Sequence, residues 1–175
     1  AKFQSHTGEV DLLGIDPNDL QKYRGRDISM IFQDPISSLD PRMTVHQLID
    51  EPLEIWGRGT RAERDERINN LLNNVGLEPE LVLNRRSYEF SGGQCQRISI
   101  ARALALDPRM LICDEPVSAL DVSIQAQILN LLQDMKDQFG LTMVFISHDL
   151  AVVKAVSDRV MVMYLGKICE IAAPE

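Results

Sequence analysis

The sequence predicts an α/β protein built on a parallel sheet, and three observations lead there. First, Met110–Cys113 and Leu141–Ile146 are continuous apolar runs, the pattern of strands covered on both faces. Second, apolar residues at helical spacing separate them from about Val122 to Phe139, which makes a strand–helix–strand unit. Third, the apolar run Ile28–Phe32 supplies another strand, and all three runs end in polar residues: Gln33, Asp114-Glu115 and Ser147-His148. Open parallel sheets bind ligands at the carboxyl ends of their strands, so this pattern forecasts a site as well as a fold.

Each element follows in order. "AKFQSHTGEV" offers no complete, capped element, and the ends of the sequence are abrupt; a piece cut from a longer protein at both ends is expected. After Gln33, Asp34-Pro35 breaks the first strand and "ISSLDPRM" has loop chemistry. Thr44 and Gln47 form a capping box ahead of Val45, Leu48, Ile49, Leu53 and Trp56, in a helix that Pro52 is expected to kink. Thr60 and Glu63 form a second box, and Leu71, Leu72 and Val75 lead to Gly76 at a C′ position. The charge run "RAERDER" at 61–67 reads as the solvated face of that helix. Ser91-Gly92-Gly93-Gln94 opens a further apolar-periodic helix, Gly140 closes the helix from Val122, and 159–164 with 167–172 read as a closing strand pair around Gly166-Lys167. No internal repeat or low-complexity segment is present.

At 175 residues the chain is one domain's worth, and no apolar run is long enough to span a bilayer. A net charge of −8 opposes a nucleic-acid-binding surface, so any phosphate binding is local. Cys95, Cys113 and Cys169 are scattered without a CxxC pair, which points to free thiols in a reducing compartment rather than disulfides or zinc. His6, His46 and His148 are equally isolated.

If the three strands run parallel, an amide, two carboxylates and an imidazole meet at one edge. Asp114-Glu115 reads either as a turn or cap, or as a pair dividing labour between a hard cation and a polarised water. Ser147-His148-Asp149 is not a hydrolase triad, because consecutive side chains point apart and no G-x-S-x-G elbow occurs. His148 alone suits a phosphate or water, or a satisfied turn. Ser91–Gln94 is either a flexible, Ser-capped helix start or an anion site, where Gly92 and Gly93 let a phosphate approach and Gln94 adds an amide.

Taken together these motifs resemble the nucleotide-binding subunit of ATP-binding-cassette (ABC) transporters. "FQDP" at 32–35 looks like the Q-loop, "SGGQ" at 91–94 like the signature and "MLICDEP" at 110–116 like Walker B. "SALD" at 118–121 looks like the D-loop and "ISHD" at 146–149 like the switch histidine. "IFQDPISSLDPRMTV", "EFSGGQCQRISIARAL" and "EPVSALDVSIQAQILNLL" resemble the oligopeptide and dipeptide importer branch, with nickel importers as near relatives; Phe90 replaces a commoner Leu.

The resemblance implies a partial P-loop NTPase fold: a core segment with the Q-loop over 1–40, a helical subdomain over 41–90, and the signature helix with a RecA-like core over 91–175. It implies ATP and Mg²⁺ as ligands. Asp114 would hold Mg²⁺ through water, Glu115 would orient and deprotonate the attacking water, and His148 would contact the γ-phosphate. Gln33 would approach Mg²⁺ and the water, Ser91, Gly92, Gly93 and Gln94 would cap a γ-phosphate held by the other subunit, and Asp121 would sit at the dimer interface. Implied partners are a second ATPase subunit, identical or different, transmembrane permease subunits, and indirectly a periplasmic or lipoprotein substrate-binding protein, at the cytoplasmic face of the inner membrane. No nucleic acid is expected. A soluble ABC ATPase acting on DNA or ribosomes, or a non-catalytic partner subunit, is the alternative.

A Walker A loop, G-x-x-x-x-G-K-[ST], is absent: at the one Gly-Lys, Gly166-Lys167, Ile168 follows and Met161 occupies the first Gly position. The expectation is a loop just upstream of Ala1, an adenine-stacking aromatic further upstream, a C-terminal extension beyond Glu175, and no turnover by this stretch alone.

Overall fold

The computed structural model describes residues 2–174. It begins with a short antiparallel hairpin that the sequence left unassigned, β1 (Lys2–Ser5) and β2 (Gly8–Asp11). A one-turn helix, α1 (Pro17–Leu20), follows, with Asp16 as its N-cap. The hairpin is pinned by Asp27, whose side chain is fully buried. One Asp27 oxygen accepts from the His6 backbone N–H at 2.7 Å and pairs with His6 Nδ1 at 2.7 Å, while the other accepts from Arg26 Nε at 2.7 Å. Burial alone would raise the Asp27 pKa, but the bonds from His6 and Arg26 outweigh it and hold the carboxyl below its ordinary range. The Asp27 carbonyl accepts from the backbone of Arg109 and Met110, which seats the start of the next strand.

The expected parallel sheet is present. It contains β3 (Ile28–Ile31), β4 (Met110–Asp114) and β5 (Thr142–Ile146), in the order β3-β4-β5. Both pairings are parallel, with Ile31 opposite Cys113 and Asp114 opposite Ile146. The strands therefore finish level. Burial pushes the Cys113 thiol on the central strand up to about 12, so it stays neutral and behaves as a small apolar residue.

Between β3 and β4 the chain builds α2 (Val45–Ile55), α3 (Arg61–Asn74), the one-turn α4 (Pro79–Val82), a 3₁₀ turn at Ser87–Glu89, and α5 (Gly92–Ala103). Both expected capping boxes form, at Thr44/Gln47 and Thr60/Glu63. The α2 assignment runs through Pro52, although its missing N–H removes one intrahelical bond. Gly76 takes the left-handed conformation at φ 72°, and Leu77 N–H closes on Leu72 O at 2.9 Å. Helices α2, α3 and α5 pack into one dry cluster that includes Leu48, Ile49, Leu53, Ile68, Leu72, Cys95 and Ile98.

The charge run at the start of α3 is only partly a solvated face. Arg64 bonds Asp50 at 2.6 Å, Asp65 bonds His46 Nε2 at 2.7 Å, and Arg67 donates to the carbonyls of Leu104 and Ala105 just past the end of α5. In the other direction, Arg97 on α5 donates to the Val75 carbonyl at the end of α3 at 2.6 Å. Each helix thus sends an arginine to the C-terminal carbonyls, and the negative dipole end, of its neighbour.

After β4 comes α6 (Val122–Phe139), which crosses to β5 and ends at Gly140, left-handed at φ 60°. The seven-residue helix α7 (Leu150–Val156) is capped by Asp149, whose side chain accepts from the N–H groups of Ala151 and Val152. The last strands, β6 (Val160–Tyr164) and β7 (Lys167–Ala172), form an antiparallel pair outside the parallel sheet. Leu165 and Gly166, both at positive φ, make their turn. Gly166-Lys167 is therefore hairpin chemistry, not a phosphate loop.

Candidate active site

At the carboxyl edge of the sheet, the next residue after each strand, or the one beyond, decides what is presented. The central strand β4 ends at Asp114, and Glu115 turns out of it in the left-handed region at φ 44°. A glutamate in that conformation carries strain, on the order of 1–3 kcal/mol. It is held there from three sides: its N–H donates to Ile146 O of β5 at 3.0 Å, its carbonyl accepts from the Ser118 N–H at 3.2 Å, and the Ser118 hydroxyl adds 3.0 Å.

Glu115 then gathers the two polar ends from the flanking strands. Gln33 Nε2, just after β3, donates to Glu115 Oε2 at 2.8 Å. His148 Nδ1, just after β5, lies 3.0 Å from Glu115 Oε1. The strands bring three of the expected site residues, 82 and 33 positions away from each other in sequence, into direct contact. A carboxylate has about four lone-pair sites, so one contact on each oxygen fixes its plane and leaves capacity for a water. Neighbouring Ser147 and Asp149 serve the backbone: Ser147 Oγ accepts from Asp149 N–H at 3.1 Å, and Asp149 caps α7. No triad forms.

Asp114 is half-buried beside Ile146 at the strand end. No group of three or more metal-ligating side chains occurs among the described residues. Asp114 nevertheless supplies a hard carboxylate donor, and Gln33, whose Nε2 is engaged by Glu115, offers an amide oxygen at the neighbouring strand end. That fits Mg²⁺, an ion that takes one or two protein oxygens and fills its shell with water and substrate phosphates.

The stretch Ser91–Gln94 is ordered by its own side chains. Ser91 is the N-cap of α5; its hydroxyl accepts from Gln94 N–H at 3.4 Å, while Gln94 Oε1 accepts from Ser91 N–H at 3.0 Å. The glycines have an internal reason that the sequence did not suggest. A Cβ on Gly93 would stand 2.8 Å from Ile124 Cγ2 of α6, and one on Gly92 would stand 3.4 Å from Leu120. Close packing of α5 on α6 by itself excludes a side chain at Gly93. Among the described residues no hydrogen bond joins Ser91–Gln94 to the Glu115 cluster. Asp121, the N-cap of α6, is exposed and makes no side-chain capping bond.

Sequence reasoning missed Gln125, whose Nε2 donates to the carbonyls of Val117 and Leu120 at 3.0 Å each and so braces the loop between Glu115 and Asp121. It sits at an ordinary helical position, and nothing in the local pattern marks it.

A level parallel sheet with this carboxylate cluster, next to a Ser-capped helix, has the architecture of an ATP-binding cassette. It superposes with a TM-score of 0.80 on the ATP-binding cassette MJ0796 in a dimeric post-hydrolysis state bound to ADP and Pi, at 30% identity, covering 95% of this chain and 71% of that one. CbiO1 from Clostridium perfringens, part of the ABC transporter complex CbiONQ, superposes at 0.76 with 28% identity, covering 90% and 59%. The sequence model of the ABC transporter family matches residues 1–118, and the chain belongs to that family. It is 57% identical over 162 residues to the oligopeptide transport ATP-binding protein OppF of Escherichia coli K12, covering 92% of this chain and 48% of that protein. The OppF of Haemophilus influenzae is 57% identical over 149 residues, covering 85% and 45%. The chain thus spans about half the length of the curated relatives it matches. No helix among the described residues is long and apolar enough to cross a membrane.

Proposed function

We propose that this chain is the site-bearing part of an ATPase subunit that powers peptide import through an ABC transporter. The observation that carries this reading is Glu115, turned out of the central strand and clamped between Gln33 and His148. The oligopeptide-transport names of relatives with 57% identity support the choice of substrate class.

Phosphoryl transfer depends mainly on positioning and charge stabilisation. In this mechanism Glu115 orients the attacking water with its remaining lone pairs and accepts a proton from it. Gln33 holds one carboxylate oxygen and reports occupancy of the site to the loop that follows it. His148 steadies the other oxygen and contacts the γ-phosphate of ATP. Asp114 and Gln33 would hold Mg²⁺, which would supply neutralisation of phosphate charge when bound. Ser91, Gly92, Gly93 and Gln94 cap the γ-phosphate of an ATP molecule bound to a second ATPase subunit, with Asp121 at that interface. Segment 41–90 and the Q-loop receive a permease subunit at the cytoplasmic face of the inner membrane, with a substrate-binding protein acting on the far side. Without a G-x-x-x-x-G-K-[ST] run, this stretch by itself turns over no ATP.

Glu115→Gln in the full-length transporter ATPase is the direct test. General-base assistance is worth about 10²–10⁴-fold, so turnover falls at least about 100-fold while ATP affinity persists. Turnover at the wild-type rate refutes the assigned base. Crosslinking of permease to segments other than 41–90 and the Q-loop, and never to these, refutes the docking assignment.

A further inference from the structure

Gln96 lies on α5, one turn into the helix, and is fully buried. Neither polar atom of its carboxamide, Oε1 or Nε2, has a hydrogen-bond partner among the described residues. Buried amides are nearly always paired, and one that is not destabilises the state that contains it. Its neighbours on the helix show which elements surround it. Gly92, one turn earlier, faces Leu120 in the loop that follows Glu115. Ser99, three residues on, touches Ser38 with its hydroxyl at 3.4 Å, and Arg102 donates to the Ser38 carbonyl at 3.4 Å. Cys95, the preceding residue, is close enough to Asp34 for that carboxylate to add to the rise that burial imposes on its thiol pKa. Gln96 therefore lies between the loop carrying Gln33 and the loop carrying Glu115.

That loop, 34–38, is tethered at its start by the Gln33–Glu115 bond and at its end by Ser38. We infer that Gln96 is a positioning residue, a polar latch: its carboxamide is unpaired while Gln33 is bound to Glu115, and pairs with the main chain of residues 34–38 once Gln33 lets go. The amide disfavours the clamped state and favours the released one, so it sets how readily Gln33 leaves Glu115. Its importance for hydrolysis rests on the function proposed above, but the test needs no nucleotide, so the two can fail separately.

The test is a double-mutant cycle in thermal unfolding of this chain, using Gln33→Ala to release the loop and Gln96→Met as a near-isosteric, apolar replacement. With Gln33 intact, Gln96→Met raises the melting midpoint by about 2–4 °C, because an unpaired amide has been removed. In the Gln33→Ala background the same change lowers the midpoint by a similar amount, because a paired amide has been lost. A fall in both backgrounds overturns the inference, since the amide would already be paired; an equal rise in both overturns it too, since the amide would never gain a partner. The Gln96 carboxamide proton resonances give a second reading without any change at position 96. They move downfield in Gln33→Ala if the latch closes, and identical resonances in the two proteins overturn it.

Discussion

The helices α2, α3 and α5 and the closing hairpin β6–β7 all carry apolar side chains, yet they use them in opposite ways. Ile68, Leu72 and Ile98 are 0% exposed, whereas Met161, Met163 and Tyr164 are 51%, 59% and 70% exposed. Each helix presents its stripe to two others, so apolar area leaves water on folding and stabilises the chain by roughly 25 cal/mol per Å². The hairpin pairs its backbones, but among the described residues no other strand adjoins it. An apolar pattern therefore fixes what a segment is able to bury, and the arrangement of neighbours fixes how much it does bury.

This contrast can be broken most directly by truncation. Leu72→Ala should cost about 2–5 kcal/mol in chemical denaturation, and a loss below about 1 kcal/mol would show the helical cluster to be loosely packed. Asp27→Asn tests whether polar groups hold the helix-bearing core to the first hairpin, with an expected loss of up to about 3 kcal/mol near neutral pH. The folded-state pKa of Asp27 lies below the ordinary 3.8, so its contribution is complete above that value and is lost as pH falls through the lower one. The gap between wild type and Asp27→Asn should therefore begin to narrow below about pH 4 and close as pH falls through the lower, folded-state pKa. A gap that persists in acid would mean that the side chain acts through shape, not charge.

Gly93→Ala sharpens the boundary between α5 and α6. Its methyl meets Ile124 at 2.8 Å, so overpacking should cost about 1–3 kcal/mol, and adding Ile124→Ala should recover part of it. Failure of that rescue would show that Ile124 is not what excludes a side chain at position 93. Met163→Ala should be the mildest change, within about 0.5 kcal/mol, because the side chain stands largely in water. A large loss there would erase the difference between the two regions.

Much of this was legible beforehand for definite physical reasons. Strands β3, β4 and β5 announce themselves as apolar runs stopped by polar residues, and the capping boxes at Thr44 and Thr60 are short-range signals with short-range causes. The meeting of Gln33, Glu115 and His148 followed from the rule that parallel strands end together. The first hairpin was not legible, because its four-residue strands are held by Asp27, more than twenty positions away from His6. Nor was the left-handed turn at Glu115, which depends on bonds to Ile146 and Ser118 made only in the folded state. The charge run misled in part because arginine stems bury readily while their heads reach a carbonyl, a distinction that composition does not carry.

The crossed arginines of α3 and α5 have a mechanical consequence. One pin, from Arg67, sits at the tail of α5, and the other, from Arg97, sits at the tail of α3. Two pins at separate points oppose both sliding and pivoting of one helix against the other. A tilt of α3 relative to α5 would therefore have to stretch one bond or the other, so the two helices share any load placed on either.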